Sequence, residues 1–199
     1  MNCSFFAYLS RMKEISRWAL MHNSVPENVQ EHSHMTAVIA HALAVIRRDV
    51  FGRDADPDAA AAAALFHDAS EILTGDLPTP IKYYSSEIKD AYKQVERIAG
   101  NRLLEMLPQE LRASYEHLVL EDDKEIEPLV KAADKLSAHI KCLEEQKAGN
   151  TDFDSAAKQT WDAMKAMARP ELDWFLDNCL SAFSLNLDQL RLDGAKKVC

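Results

Sequence analysis

His67 and Asp68 are adjacent in the string LFHDASEILTGDLPTP, with His32 upstream and Asp134 downstream. Two imidazoles and two carboxylates drawn from three segments form a mixed nitrogen–oxygen donor set suited to a divalent ion. A metal with open coordination positions can activate water, so such a site is a possible hydrolytic one. No cysteine belongs to the set, which argues against closed structural zinc. Glu71 follows His67 by four residues and Asp68 by three, a helical spacing that brings side chains to one surface. A carboxyl placed there can serve as general acid or base. Manganese, cobalt, magnesium and zinc all suit these donors, and the residues do not choose among them.

Each member also has a plainer reading. His32 extends the apolar stripe of its helix, three residues before Met35, whereas His34 lies about 200° around that helix and faces out. An inward histidine can be a satisfied core residue. Asp134 borders a stripe of Leu129, Ala133, Leu136 and Ile140, and it could instead pair with Lys131 or Lys135 at the surface. On a regular helix His67 and Asp68 diverge by about 100°, so they must reach toward one ion from adjacent positions. Arg17-Trp18 offers a guanidinium that fits phosphate and a flat indole for sugar or base, or else a solvated cation and a packing anchor. Asp76 follows a glycine in the proline-bounded turn TGDLPTP, where it either reads a ligand hydroxyl or caps the turn. Thr79 and Lys82 are weaker candidates. His22, His41, His117, His139, Trp161 and Trp174 read as structural.

The elements that must position these groups are helices. Apolar spacing predicts helices over residues 4–20, 29–48, 57–71, 86–107, 125–148, 152–168 and 171–183, with a short one beginning at Pro108. In the second, Met35, Val38, Ile39, Ala42, Val45 and Ile46 form the expected buried stripe. Asp56-Pro57 is a helix start, the alanine run after it permits close helix approach, and Gly149-Asn150 is a stop. No stretch alternates long enough for a strand. The expected architecture is all-α and one domain, residues 1–199, with its core at about 4–183 and a frayed tail.

Composition narrows the partners. A net charge of −9 disfavours nucleic acid, so an anionic substrate would need a local cation. No apolar stretch reads as a signal peptide or membrane span, and four scattered cysteines without a CxxC pair fit a reducing cytoplasm.

The histidine, the HD doublet and the distant aspartate on three helices follow the pattern of HD-domain metal-dependent phosphohydrolases. More narrowly, SRW, EHS, HDASEILTGDLPTP and KAAD together resemble the bacterial HD-domain 5′-deoxynucleotidases over nearly the whole chain. The resemblance implies a helical bundle of the HD-domain type that hydrolyses deoxyribonucleoside 5′-monophosphates to deoxyribonucleosides and phosphate. It implies one divalent ion, cobalt or another transition ion, on His32, His67, Asp68 and Asp134. Glu71, Asp68 and Arg17 would then be catalytic. Arg17, Trp18, His32, Asp76 and Asp134 would contact substrate, with Asp76 reading the sugar hydroxyl. A homodimer is implied too; apart from the resemblance, the exposed apolar residues of the last two helices are the expected surface for it. The stretch Glu121–Lys124 is where a lid contact would fall. Only His117 lies between the doublet and Asp134, which favours one metal and a monoester over diesterase or triphosphohydrolase chemistry on another nucleotide. A non-catalytic nucleotide binder that keeps the metal for structure is the remaining alternative.

Overall fold

Asn28 opens the central helix with a reciprocal cap. Its side chain accepts from the Glu31 amide at 3.0 Å, and the Glu31 carboxylate accepts from the Asn28 amide at 3.2 Å. The structure, a computed structural model, describes residues 3–82, 84–120 and 123–190, without the side chains of Thr79 and Pro80. Its helices are α1 (Phe5–Leu9), α2 (Val29–Val45), α3 (Pro57–Phe66), α4 (Glu71–Thr74), α5 (Thr79–Lys82), α6 (Ser86–Glu105), α7 (Gln109–Val119), α8 (Glu127–Lys147), α9 (Asp154–Ala166) and α10 (Pro170–Asn178). No strand occurs among the described residues, so the all-α reading holds.

α2 packs against both α3 and α8, and α9 covers α8. Small side chains make that central packing close: Ala40 and Ala44 of α2, Ala60 and Ala64 of α3, and Ala132 and Ala133 of α8 are all fully buried. Because α2 is covered from two sides, its buried face includes polar residues, namely His32, Ser33 and Thr36. The face is therefore rotated from the expected stripe. Ile39 and Ile46 are buried as expected, but Val38 is exposed. Hydrophobicity alone could not mark a buried face that carries chemistry.

Three predicted helices end early, one of them the last, which is expected to reach residue 183 and stops at Asn178 before a 3₁₀ turn over Leu180–Ser184. The first, expected to reach residue 20, stops as an α-helix at Leu9 and continues as a 3₁₀ turn over Ser10–Glu14. Ile15 is then extended and the chain pairs with the segment before α2: the Val29 amide donates to the Ile15 carbonyl at 3.0 Å, and Ser16 bridges Asn28. The third helix, expected to reach residue 71, stops at Phe66. The His67 ring donates from Nδ1 to the Ala64 carbonyl at 2.7 Å, an acceptor that a regular helix would offer to the Asp68 amide. The amides of Ala69 and Glu71 then bond three residues back, to Phe66 and Asp68.

A second cluster of Phe5, Ala69, Leu103, Leu104, Leu107 and Val119 ties α1, α6 and α7 under the HD turn. The last two helices bury their apolar residues, Leu172, Phe175, Leu176 and Met164 among them, and of their large apolar side chains Trp161 is the exposed one. They therefore do not supply the broad apolar surface expected for a dimer, because their apolar faces are spent within the chain. Glu121 and Asp122 of the suggested lid, and the tail from residue 191, lie outside the described residues. No helix among the described residues is long and apolar enough to cross a membrane.

Glu145 anchors the loop before α2. Buried on α8, it accepts from the amides of Ser24 at 2.8 Å and Val25 at 3.2 Å, from Asn150 at 2.8 Å, and from Lys141. Burial alone would raise its pKa, but these donors hold it well below the usual carboxylate range. Glu145→Ala leaves Lys141 buried without its carboxylate, and is expected to cost about 3–5 kcal/mol in urea unfolding. A depressed carboxylate contributes stability above its unfolded pKa and loses it as pH falls through the folded value. The gap between wild type and Glu145→Gln should therefore be constant above about pH 5 and narrow below about pH 4.3. A gap that widens in acid would refute the assignment.

Candidate metal centre

The doublet sits where α3 ends, just after Phe66. With the His67 Nδ1 hydrogen committed to Ala64, Nε2 faces Asp68 Oδ2 at 3.1 Å. His32, fully buried on the second turn of α2, brings its Nε2 to 3.7 Å from the same Asp68 oxygen and 3.1 Å from Asp134 Oδ1. The two imidazole rings lie 5.3 Å apart. His32, His67 and Asp68 offer ligand atoms all within 4.8 Å of one another. His34 is exposed, as expected.

Asp134 divides its two oxygens. Oδ1 faces His32, while Oδ2 accepts from Lys135 at 3.2 Å. The inward and the surface readings of Asp134 thus each describe one oxygen. Lys131 pairs with Glu127 instead.

Charge explains why the cluster suits a cation. Burial lowers the His32 pKa, and Arg17 lowers it further, so the ring is held neutral against the pull of Asp134 and Asp68. Burial would raise Asp68 and Asp134, but His67, His32 and Arg17 keep Asp68 low, and Lys135 with His32 keeps Asp134 low. Two imidazoles and two carboxylates gathered in one buried cluster are the mixed nitrogen–oxygen donors that a divalent ion takes. The His32 Nδ1 stands 3.2 Å from the Ser137 hydroxyl, which can accept from it when Nε2 serves as a donor atom to metal. The donor set therefore fits a divalent cation.

Glu71 is the counter-case. Burial, then the neighbouring Asp68 and Asp76, push its pKa up to about 9. Its Oε2 is buried with no hydrogen-bond partner among the described residues. A dry carboxyl oxygen with nothing to bond marks an incomplete site, which water or substrate would complete.

Asp76 follows Gly75, which takes the left-handed φ of +73° that ends α4. The turn is braced from α6, where the Tyr92 hydroxyl lies 3.4 Å from both the Gly75 carbonyl and the Thr74 hydroxyl. Lys82 lies over the Tyr92 ring and donates to Glu96 at 2.7 Å. Burial raises the Asp76 pKa while Arg17 lowers it, so this carboxylate shares the field of the cluster. The side chain of Thr79 lies outside the described residues.

Arg17 donates from Nη1 to Asp68 Oδ2 at 3.4 Å and from Nε to Glu27 Oε2 at 3.2 Å. The Trp18 ring packs on Phe153, with centroids 5.3 Å apart, and its N–H is taken by Glu27 at 3.0 Å. Its backbone is left-handed at φ +56°, rare for so large a side chain. Glu27 was missed from the sequence, since it sits in an irregular loop where no spacing marks it. Of the residues read as structural, His41 and Trp161 are partly exposed, and His139 bonds Thr160 at 2.9 Å.

Helices that enclose a histidine, an HD turn and a distant aspartate define an HD-domain hydrolase. The fold matches an HD-domain phosphohydrolase from Listeria innocua at TM-score 0.78 and 23% identity, covering 90% of this chain and 88% of that one. It also matches a cyanophage S-2L HD phosphohydrolase, described as bound to dA and one catalytic Zn²⁺ ion, at TM-score 0.63 and 20% identity over 88% and 95% of the two chains. In sequence the chain is 48% identical over 187 residues to a 5′-deoxynucleotidase of Shewanella oneidensis, covering 93% of this chain and 96% of that protein. The model of the YfbR-like 5′-deoxynucleotidase family matches residues 4–183, and the chain belongs to that family.

Proposed function

We propose that this hydrolase removes phosphate from deoxyribonucleoside 5′-monophosphates, using one divalent ion held by His32, His67, Asp68 and Asp134. The observation that carries the reading is the gathering of His32, His67 and Asp68, with ligand atoms within 4.8 Å of one another and Asp134 Oδ1 3.1 Å from His32 Nε2, beside the buried, incompletely bonded Glu71. When bound, the ion supplies Lewis-acid polarisation of the phosphoryl group and an acidified water. Cobalt or manganese is the expected ion, and zinc or magnesium fits the same donors.

The chain's own residues do the rest. Arg17 binds phosphate through its guanidinium edge and offsets its charge. Glu71, whose pKa burial and the nearby Asp68 and Asp76 raise to about 9, serves as the acid/base residue. Asp76, on its braced turn, accepts from the sugar 3′-hydroxyl. Trp18 acts mainly by holding its loop, through Phe153 and Glu27. The whole chain works as one domain and as a cytoplasmic homodimer. The exposed Ile88, Val95 and Ile98 on α6 support a contact face.

A panel of deoxy and ribo 5′- and 3′-monophosphates assayed with cobalt, manganese, zinc and magnesium tests the reading. Release from deoxyribo 5′-monophosphates in preference to 3′-esters is the expected outcome. No release from any nucleoside monophosphate with any of the four ions would reject it. Asp76→Ala should raise KM for deoxyribonucleotides about ten- to hundredfold, the worth of a hydrogen bond to a charged group. An unchanged KM removes Asp76 from the sugar site.

A further inference from the structure

Glu27 belongs to no motif, yet Arg17 and Trp18 meet on it. One carboxylate oxygen accepts from Arg17 Nε at 3.2 Å and from Trp18 Nε1 at 3.0 Å. Its backbone carbonyl accepts from the Arg17 amide at 2.9 Å. The Ser16–Asn28 bridge continues that pairing, so both backbone and side chain of Arg17 are clasped by one residue. The Glu27 and Arg17 side chains are only 16% and 12% exposed, so the pair is shielded from water and salt. The left-handed Trp18 backbone, at φ +56°, persists only where neighbours fix it, and Glu27 is one of the groups that do.

The geometry points to Glu27 as the residue that positions the Arg17 fork for phosphate. Arg17 stands in the field of Asp68, Asp134, Glu27 and Asp76. Without a hold on Nε, the guanidinium is drawn fully onto Asp68 and Asp134, the carboxylates a cation needs. Glu27 fixes the plane of the fork from behind. The Nη2 donors, which make no hydrogen bond among the described residues, are left for a bidentate anion. This inference rests on Arg17 being the phosphate contact of the proposed reaction.

The test uses full-length, metal-loaded protein: wild type, Glu27→Gln, Glu27→Asp, Arg17→Lys and the Glu27→Gln/Arg17→Lys double variant. Two quantities are read, KM for a deoxyribonucleoside 5′-monophosphate and affinity for inorganic phosphate by calorimetry. Glu27→Gln should raise KM and weaken phosphate binding about tenfold, with kcat falling less. Glu27→Asp keeps the charge but not the reach, and should do the same. The double variant should be no worse than Arg17→Lys alone within about twofold, because both changes undo one interaction. A merely structural Glu27 gives additive losses instead. Additive losses, or phosphate affinity unchanged in both Glu27 variants, overturn the inference. If no nucleotide is hydrolysed, the substrate reading has failed, and phosphate calorimetry still decides the role of Glu27.

Discussion

Glu71→Gln is expected to lower kcat by about 10²–10⁴-fold, the usual contribution of a positioned general acid or base, while metal content stays at the wild-type level. The substitution keeps the size of the side chain and removes only the titratable proton. Glu71 opens α4 one turn beyond the HD break and is 5% exposed, so solvent cannot readily replace it as proton donor. Its contacts are with the field of Asp68 and Asp76 rather than with the imidazoles, which is why metal retention is expected. Equal loss of metal and activity would make Glu71 a ligand, and full activity in the variant would remove it from the chemistry.

Asp68→Asn should be more damaging. Its Oδ2 is the shared vertex of the site, 3.1 Å from His67 Nε2, 3.7 Å from His32 Nε2 and 3.4 Å from Arg17 Nη1. An amide there is nearly isosteric but uncharged, and no longer offsets a dication. Loss of the ion removes several kcal/mol of transition-state stabilisation, so activity should drop at least about a thousandfold. A second readout is independent of turnover. At a hundred times Kd, added metal stabilises wild type by about 2.7 kcal/mol, seen as a rise in Tm, and Asp68→Asn should show no such rise. Wild-type thermal response to metal in Asp68→Asn would contradict the assignment.

Much of this site was legible because helix periodicity orients side chains. The position of His32 on the turn before Met35 distinguishes it from His34, and burial follows that choice. Asp134 was legible only as a borderline residue, and both of its oxygens are in fact engaged. The convergence of His67 and Asp68 was not legible in full. Helix geometry separates neighbours by about 100°, and the end of α3 at Phe66, with its ring-to-carbonyl bond from His67 to Ala64, has no sequence period. The first helix was overextended for a related reason. Phe5, Leu9 and Met12 keep apolar spacing through a 3₁₀ turn, and the extended pairing of Ile15 with Val29 is a non-local bond. Glu27 and the Glu145 anchor escaped notice because an irregular loop carries no pattern, and their partners lie on residues joined to them only by the fold.

The most direct test is a crystal of the full chain grown with manganese or cobalt and measured at the metal's absorption edge. One anomalous peak is predicted, within about 2.0–2.3 Å of His32 Nε2, His67 Nε2 and a carboxylate oxygen each from Asp68 and Asp134. A peak that leaves out His32 or Asp134, or no peak in this cluster at saturating metal, would contradict the account.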